Sequence, residues 1–323
     1  MSSPLSHPGF ARIFAPERTT LGLMFPMAPN VDGVADMRGQ LDLARRADAL
    51  GFGALWSRDV PLFAPDFGDA GQVYDPWVWL GQIAAVTEHI ALSTAGVVLP
   101  LRHPLHVAKA AASVDAVSGG RFLLGAASGD RAAEYPAFGR DHETRGAAFR
   151  EEIEIIRQVV GDAYPTVESS FGRMEGLDLL PKPAYGLPLL TVGSAQQSIQ
   201  WIAANMDGWI SYPRDVEDQR KRIDLWKAVS PQKAPGAFRP FAQSLFIDLA
   251  DDPEAAPSPI FLGYRLGRRR LVEHLEKLNA IGVHHVFFNL RRSMRPAAEV
   301  VEELGAEVLP LFSSHEPTIR AAA

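Results

Sequence analysis

The chain has 323 residues, of which 47% are hydrophobic and 22% charged, and its formal net charge is −6. This is the composition of a folded globular protein, and the mildly acidic balance gives no reason to expect nucleic acid or an anionic membrane as partner. The sequence contains no cysteine, which excludes disulfides, thiolate catalysis, iron–sulfur clusters and cysteine-ligated zinc.

The N-terminal segment gives no sign of export. Residues 1–19 lack the apolar core of a signal peptide, and no apolar run approaches the ~20 residues needed to span a bilayer. We therefore expect a cytoplasmic protein in which residues 1–19 form an N-terminal leader segment.

Short apolar stretches alternate with stretches of helical periodicity along the whole chain. The apolar stretches predict strands at 21–25, 54–57, 90–98, 121–127, 189–192, 208–211, 241–248 and 285–289. The periodic stretches predict helices at 36–50, 75–87, 103–117, 196–205, 215–228, 268–281 and 296–309, with a further helix around Phe149, Ile153, Ile156 and Val160.

Two longer segments interrupt this alternation. Nearly seventy residues separate the start of the fourth predicted strand from the fifth, and residues 249–267 form a segment rich in Asp and Pro. We interpret both as insertions, after strand 4 and strand 7, because no linker or composition change accompanies them. Eight strand–helix units in about 300 residues predict an α/β fold, a single (β/α)8 TIM barrel spanning residues 1–323.

Active sites of such barrels lie at the carboxyl ends of the strands. After strand five the chain carries Gly193, Ser194, Gln197 and Ser198, which offer backbone N–H groups, hydroxyls and a helix start to an anion. The alternative for this stretch is a tight turn followed by a helix cap. Arg145 precedes an amphipathic helix, where it either approaches a phosphate or pairs with a surface glutamate.

A second candidate follows strand two, where Arg58 and Asp59 stand beside Trp56. This pair is either catalytic or a solvated ion pair on a loop. No metal-binding spacing is present, and we predict no metal site. The chain also lacks the glycine-rich phosphate motifs of dinucleotide-binding and P-loop proteins and the GxSxG nucleophile elbow.

The run LSTAGVVLPLRHPLHVAKAAASVDAVSGGRFLLGAASGD, followed by EYPAFG and Arg145, resembles the bacterial-luciferase-like flavin oxidoreductases. The resemblance includes TLGLMFP at strand one and TVGSAQQS at strand five, and so covers most of the chain. It is closest to an uncharacterised subgroup of luciferase-type oxidoreductases, to which the 249–267 insertion is also similar.

This resemblance implies FMN at the carboxyl end of the barrel. The flavin phosphate is expected on Gly193, Ser194, Gln197 and Ser198, with Arg145 as a supporting cation. In the family the peptide matching Ala95–Gly96 is often a non-proline cis bond beneath the ring. The isoalloxazine ring is expected near Phe25, Ala95, Gly96, Ala127, Ser128 and Gly129.

Many members of the family place a catalytic His after strand two, where this chain has Ser57, Arg58 and Asp59. In that position Arg58 is a candidate for stabilising a flavin peroxide or an anionic substrate, with Asp59 orienting it. His142, in the loop after strand four, is a further acid/base candidate, and its alternative is a surface histidine.

The resulting expectation is an FMN-dependent monooxygenase. A separate NAD(P)H:flavin reductase would supply reduced flavin, which reacts with O2 to oxygenate a small organic substrate. The 58–74 loop, with Phe63, Phe67 and Tyr74, and the 249–267 insertion would form the pocket walls and lid.

Two alternatives stay open. One is hydride transfer by a reductase or dehydrogenase that uses the deazaflavin F420, and the other is a flavin-binding protein without turnover. The family resemblance also implies a homodimer.

Overall fold

The computed structural model describes residues 4–28, 30–31, 34–63 and 74–312. Within these residues eight parallel strands close a barrel, because the first strand pairs with the eighth and the sixth with the seventh. The strands are β1 (Thr20–Met24), β2 (Ala54–Ser57), β3 (Ala91–Thr94), β4 (Phe122–Ala127), β5 (Leu189–Val192), β6 (Gly208–Ser211), β7 (Phe241–Leu249) and β8 (His285–Asn289).

Helices connect the strands and cover the outside of the barrel. They are α1 (Pro8–Ile13), α2 (Gln40–Leu50), α3 (Pro76–Val86), α4 (Pro104–Val117), α5 (Arg145–Gly161), α6 (Ile199–Asn205), α7 (Val216–Lys233), α8 (Arg268–Ile281) and α9 (Ala297–Glu303). Short 3-10 turns occupy Pro4–Ser6, Leu99–Leu101, Ala132–Phe138, His142–Thr144 and Leu309–Leu311, and a π-helical turn spans Leu304–Val308. No helix in the described ranges is long and apolar enough to cross a bilayer.

The alternation of side chains along each strand divides the apolar residues into two layers. The larger layer lies between the strands and the helices. The smaller layer fills the barrel interior, where Trp56 stacks on Phe287 with ring centroids 4.5 Å apart. Leu123, Leu190 and Ile210 complete this interior layer.

The segment predicted as a leader is part of the barrel. Residues 8–13 form α1, and Phe10, Ile13 and Phe14 are buried within the interior layer. The backbone N–H of Gly9 bonds the carbonyl of Gly120 at 3.1 Å, just before β4, and so fixes α1 at the amino ends of the strands. These apolar side chains therefore close the amino end of the barrel.

Both predicted insertions are present. The insertion after β4 contains two 3-10 turns and an antiparallel hairpin, Val167–Ser169 with Gly172–Met174. The insertion after β7 is a hairpin of Ser258–Ile260 and Gly263–Leu266, whose second strand pairs in parallel with β7. The remaining short strands are Asn30–Val31, Val34–Ala35 and Val97–Val98.

The largest differences in element bounds occur at the carboxyl ends of the strands. The strand predicted at 90–98 is interrupted at Gly96, whose φ is +106°, and only Val97–Val98 resumes pairing, against β4. The helix predicted at 196–205 begins later, at Ile199, because Ala195 and Gln196 adopt left-handed backbone conformations. Both departures place irregular backbone where the sequence predicted a site.

Candidate active site

A shelf of small residues lies across the carboxyl ends of β3, β4 and β5. Ala95, Ala127, Val192 and Gly193 are partly exposed there, whereas the strand residues that precede them are buried. A Cβ added to Gly96 would lie 3.1 Å from the Cβ of Ala127, so a side chain at position 96 would project across the shelf. This surface suits a flat ring system, because side chains as small as those of Ala95, Gly96 and Ala127 let a ring approach the backbone.

Phe25 does not belong to this shelf. Its side chain is 1% exposed and packs edge-on against Trp79, with ring centroids 5.3 Å apart, in the layer beneath the helices. The alternation along β1 turns Met24 inward and Phe25 outward. The Phe25 side chain therefore faces the helices, and the expected position of the flavin ring near this residue stays a prediction.

The expected cis peptide is also corrected. Cis peptides in the described residues occur at Phe25–Pro26 and Leu180–Pro181, and the Ala95–Gly96 peptide is trans.

The loop after β4 is held by Tyr135. Its hydroxyl donates a short hydrogen bond to the carbonyl of Ser128, and a Cβ on Gly129 would lie 3.0 Å from the Tyr135 Oη. Burial raises the pKa of Tyr135 to about 12, so the phenol remains a donor at neutral pH. Sequence reasoning did not select Tyr135, although it stands in the EYPAFG segment.

His142 and Arg145 lie next to this tyrosine. The His142 ring contacts the Tyr135 ring edge-on at 4.9 Å, and the Arg145 Nη1 donates to the His142 carbonyl at 2.6 Å. The His142 Nε2 and the Arg145 Nε are buried and have no hydrogen-bond partner among the described residues. The fold thus brings Ser128, His142 and Arg145 together around Tyr135, and two buried nitrogen atoms there have no partner among the described residues.

The loop after β5 has an unusual backbone. Ala195 and Gln196 have φ values of +47° and +59°, and such left-handed non-glycine residues concentrate at functional sites. The Gln197 amide donates to the carbonyls of Ala195 and Gly146, both at 2.8 Å, and so ties the loop to α5. With the loop tied to α5 in this way, Ser194 stays exposed to solvent.

The four predicted phosphate residues divide into two pairs. Gln197 holds the loop together, and the Ser198 hydroxyl accepts the Trp201 N–H at 3.2 Å as the cap of α6. Gly193 has a left-handed conformation of φ +67°, and its N–H donates to the Ile210 carbonyl at 2.9 Å, whereas the Ser194 side chain is exposed. Ser194 is therefore the better candidate for direct contact with an anion.

Asp59 does not orient Arg58. Its side chain is 1% exposed and accepts hydrogen bonds from Arg102 at 2.8 and 3.1 Å and from the Val98 N–H at 3.0 Å. Arg58 follows β2 directly and is half-buried. Asp59 is thus paired with Arg102, and a catalytic role for Arg58, Asp59 or His142 stays a prediction.

Two further predictions concern the surroundings of the site. Phe63 and Tyr74 are exposed at the two ends of the loop after β2, and Phe67 lies outside the described residues. No group of three or more His, Asp or Glu side chains is placed to hold a metal ion in the portion of the chain that is described.

Comparisons with known proteins place these features in a family. A family model described as luciferase-like monooxygenase matches residues 19–314. An uncharacterised protein of Mycobacterium tuberculosis is 30% identical over 258 residues, which are 76% of this chain and 82% of that protein. The F420-dependent hydroxymycolic acid dehydrogenase of the same organism is 31% identical over 182 residues, 55% of this chain and 49% of that enzyme.

One solved structure illustrates the likeness in fold. The oxygenating constituent of 3,6-diketocamphane monooxygenase from Pseudomonas putida, solved in complex with FMN, superposes with a TM-score of 0.69. The match covers 92% of this chain and 99% of that one at 15% identity.

Proposed function

The chain belongs to the luciferase-like monooxygenase family, and we propose that it is an oxidoreductase that binds a flavin-type cofactor on the shelf. The observation that carries the proposal is the flat surface of Ala95, Gly96 and Ala127 with the Gly193–Ser194 turn, and its exposed serine, at the edge. The ring would lie over the small residues and the phosphate at the turn.

The first candidate reaction is FMN-dependent monooxygenation of a small organic substrate, with a separate NAD(P)H:flavin reductase as partner. Bound reduced FMN supplies the electrons for oxygen activation. Beneath the shelf the barrel interior is closely packed, with Trp56 and Phe287 stacked, and this packing would keep water from the inner face of the site.

Polar groups at the rim of the shelf would transfer protons and bind the anionic groups of cofactor or substrate. The Tyr135 hydroxyl holds the Ser128 carbonyl in place, and His142, whose Nε2 has no partner among the described residues, is the proposed acid/base group. The buried Arg145 Nε can donate to an anionic group of cofactor or substrate. Arg58 is the proposed electrostatic stabiliser at the end of β2.

Hydride transfer with F420 is the second candidate. Its support is the relative that is an F420-dependent dehydrogenase and is 31% identical over 55% of this chain. Because a deazaflavin does not activate O2, the choice of cofactor separates the two reactions.

The test begins with binding titrations of purified protein with FMN, reduced FMN and F420, followed by absorbance and tryptophan fluorescence. Ala127→Phe places a ring on the shelf and should abolish flavin binding, whereas Ala280→Leu, on the exposed face of α8, should leave it unchanged. Oxygen consumption that depends on substrate would then support the monooxygenase. Wild-type protein that binds none of the three cofactors would refute the proposal.

A further inference from the structure

A groove runs between α6 and α7 on the side of the β5 loop away from α5. It has a volume of about 440 Å³, and Ser194 and Gln197 from the loop line one side of it. Arg214, Lys221 and Arg222 line the side that leads into α7. The open serine of the loop and three cations therefore share one cavity.

Arg222 is held next to the loop by an aromatic contact. Its guanidinium carbon lies 5.3 Å from the centre of the Trp209 ring, and the Trp209 Nε1 donates to the Gly193 carbonyl at 2.7 Å. The same indole thus positions both the glycine of the turn and the guanidinium. This arrangement places a preoriented cation beside Gly193 and Ser194.

The charges in this groove are incompletely balanced. Lys221 is paired with Asp218 at 2.9 Å, but within the described ranges neither Arg214 nor Arg222 has a carboxylate within ion-pair distance. Desolvation and the neighbouring charge of Arg214 lower the pKa of Arg222. Two guanidinium groups that repel each other in a shared cavity are stabilised by an anion placed between them.

The opposite side of the loop has the reverse charge. There a groove of about 600 Å³ is lined by Glu143, Glu151 and Glu154, and among the described residues that line it Arg150 is the cation. Three carboxylates that line the same groove repel a dianionic ligand. The electrostatics therefore select the α7 side of the loop for an anionic ligand.

We propose that the groove between α6 and α7 is a dianion site. In it Arg214, Arg222 and the Ser194 hydroxyl bind a phosphate group. The inference rests on the proposed function, under which this phosphate belongs to the flavin cofactor. It adds two residues of α7 and its preceding loop to the binding site, and neither was selected from the sequence. A phosphate monoester and free inorganic phosphate share this chemistry, and the test distinguishes them.

The experiment compares binding of FMN with binding of riboflavin, which has the same ring but no phosphate. Arg222→Gln and Arg214→Gln should each weaken FMN binding about tenfold or more and leave riboflavin binding unchanged. Arg222→Lys, which keeps the charge, should recover part of the loss. Arg220→Gln is the matched control, since Arg220 is on α7 but pairs with Glu217 outside the groove.

The outcomes separate the inference from the proposed function. Unchanged FMN affinity in both glutamine variants, or equal losses for FMN and riboflavin, would overturn the phosphate site while leaving the flavin proposal standing. Preference for F420 with the same arginine dependence would support the site and move the function to hydride transfer. If no cofactor binds, inorganic phosphate is the probe: thermal stabilisation that Arg222→Gln abolishes supports the site, and no stabilisation refutes it.

Discussion

The indole nitrogen of Trp56 donates a hydrogen bond to the Nε2 of His285 at 3.0 Å across the barrel interior. The His285 Nδ1 lies 2.7 Å from the Thr20 hydroxyl, which itself donates to the Ile13 carbonyl. Because Nε2 accepts a hydrogen bond and the Thr20 hydroxyl proton is already used for Ile13, the imidazole is neutral and donates its proton from Nδ1 to the Thr20 oxygen. Complete burial lowers the pKa of His285 to about 3, so its neutral form is part of the folded state.

This histidine should make the protein sensitive to mild acid. Its pKa in the folded state lies below the unfolded value, so its stabilisation is complete above about pH 6.5 and is lost as the pH falls towards 3. In that range it contributes a slope of about 1.4 kcal/mol per pH unit to the free energy of unfolding.

His285→Asn should lower stability at pH 7.5, because Trp56 loses its partner, but should give a shallower fall between pH 6.5 and 5. His274 and His284, with pKa values lowered by burial to about 4, titrate in both proteins and cancel in the comparison. Urea unfolding at several pH values measures both slopes. Parallel curves for the two proteins would contradict the assignment.

Glu152 should have the opposite pH dependence. Its side chain is buried in α5, and neither carboxyl oxygen has a hydrogen-bond partner among the described residues. Desolvation raises its pKa to about 9, so the acid is neutral in the folded protein, and its stabilisation is lost as the pH rises from about 4.5 through 9.

Glu152→Met, which replaces the acid by an apolar side chain of similar size, should therefore raise the free energy of unfolding at pH 8 and remove this slope. Chemical denaturation at pH 5, 7 and 9 is the measurement. Glu154→Gln, on the exposed face of the same helix, is the control and should keep the wild-type slope. If the Glu152→Met protein keeps the pH dependence of the wild-type protein, a group other than Glu152 causes that dependence.

The sequence predicted those elements whose limits are set locally. The strands at 54–57, 189–192, 208–211 and 285–289 and the helix at 268–281 have the predicted bounds. The helix at 268–281 lies between Gly267 and Gly282, and the latter adopts the left-handed conformation that ends a helix. In these cases the local sequence was sufficient to predict where each element begins and ends.

The features that sequence reasoning missed depend on contacts between distant residues. Phe10 and Phe14 fill a space that exists only after the barrel closes, and periodicity gives no sign of it. Tyr135 reaches the Ser128 carbonyl through a 3-10 turn, and Arg222 reaches the β5 loop through Trp209. The side-chain direction of Phe25 was also not evident from the sequence, since a shift of one residue along a strand changes the face on which a side chain lies.

Two glycines provide a matched test of strand packing. A Cβ on Gly125, in β4, would lie 1.9 Å from the Thr94 carbonyl oxygen, whereas a Cβ on Gly81, in α3, meets no atom within 4 Å. Gly125→Ala should therefore prevent folding or lower stability severely, because backbone atoms of β3 would have to move.

Gly81→Ala should instead stabilise the protein by about 0.5–1 kcal/mol through helix propensity. Thermal unfolding of the two variants provides the comparison. A soluble Gly125→Ala protein with wild-type melting temperature would contradict the packing of β3 against β4.

The last prediction concerns Asp59 and Arg102, whose side chains form a two-point ion pair at 2.8 and 3.1 Å. Asp59 also accepts the Val98 N–H, so it joins the end of β2 to the segment after β3. Asp59→Ala should lower the free energy of unfolding by about 2 kcal/mol, because it leaves the Val98 N–H without its acceptor and leaves Arg102 only the longer contact to Asp75 at 3.4 Å.

A double-mutant cycle distinguishes this structural role from a catalytic one. Arg102→Met and Asp59→Ala should be coupled by about 1–3 kcal/mol in unfolding experiments, so that the double variant loses less stability than the sum of the single variants. Asp59→Asn, which retains an oxygen for the Val98 N–H, should fold better than Asp59→Ala and keep flavin affinity. Loss of turnover in Asp59→Asn with unchanged stability and no coupling to Arg102 would instead assign the carboxylate to the chemistry.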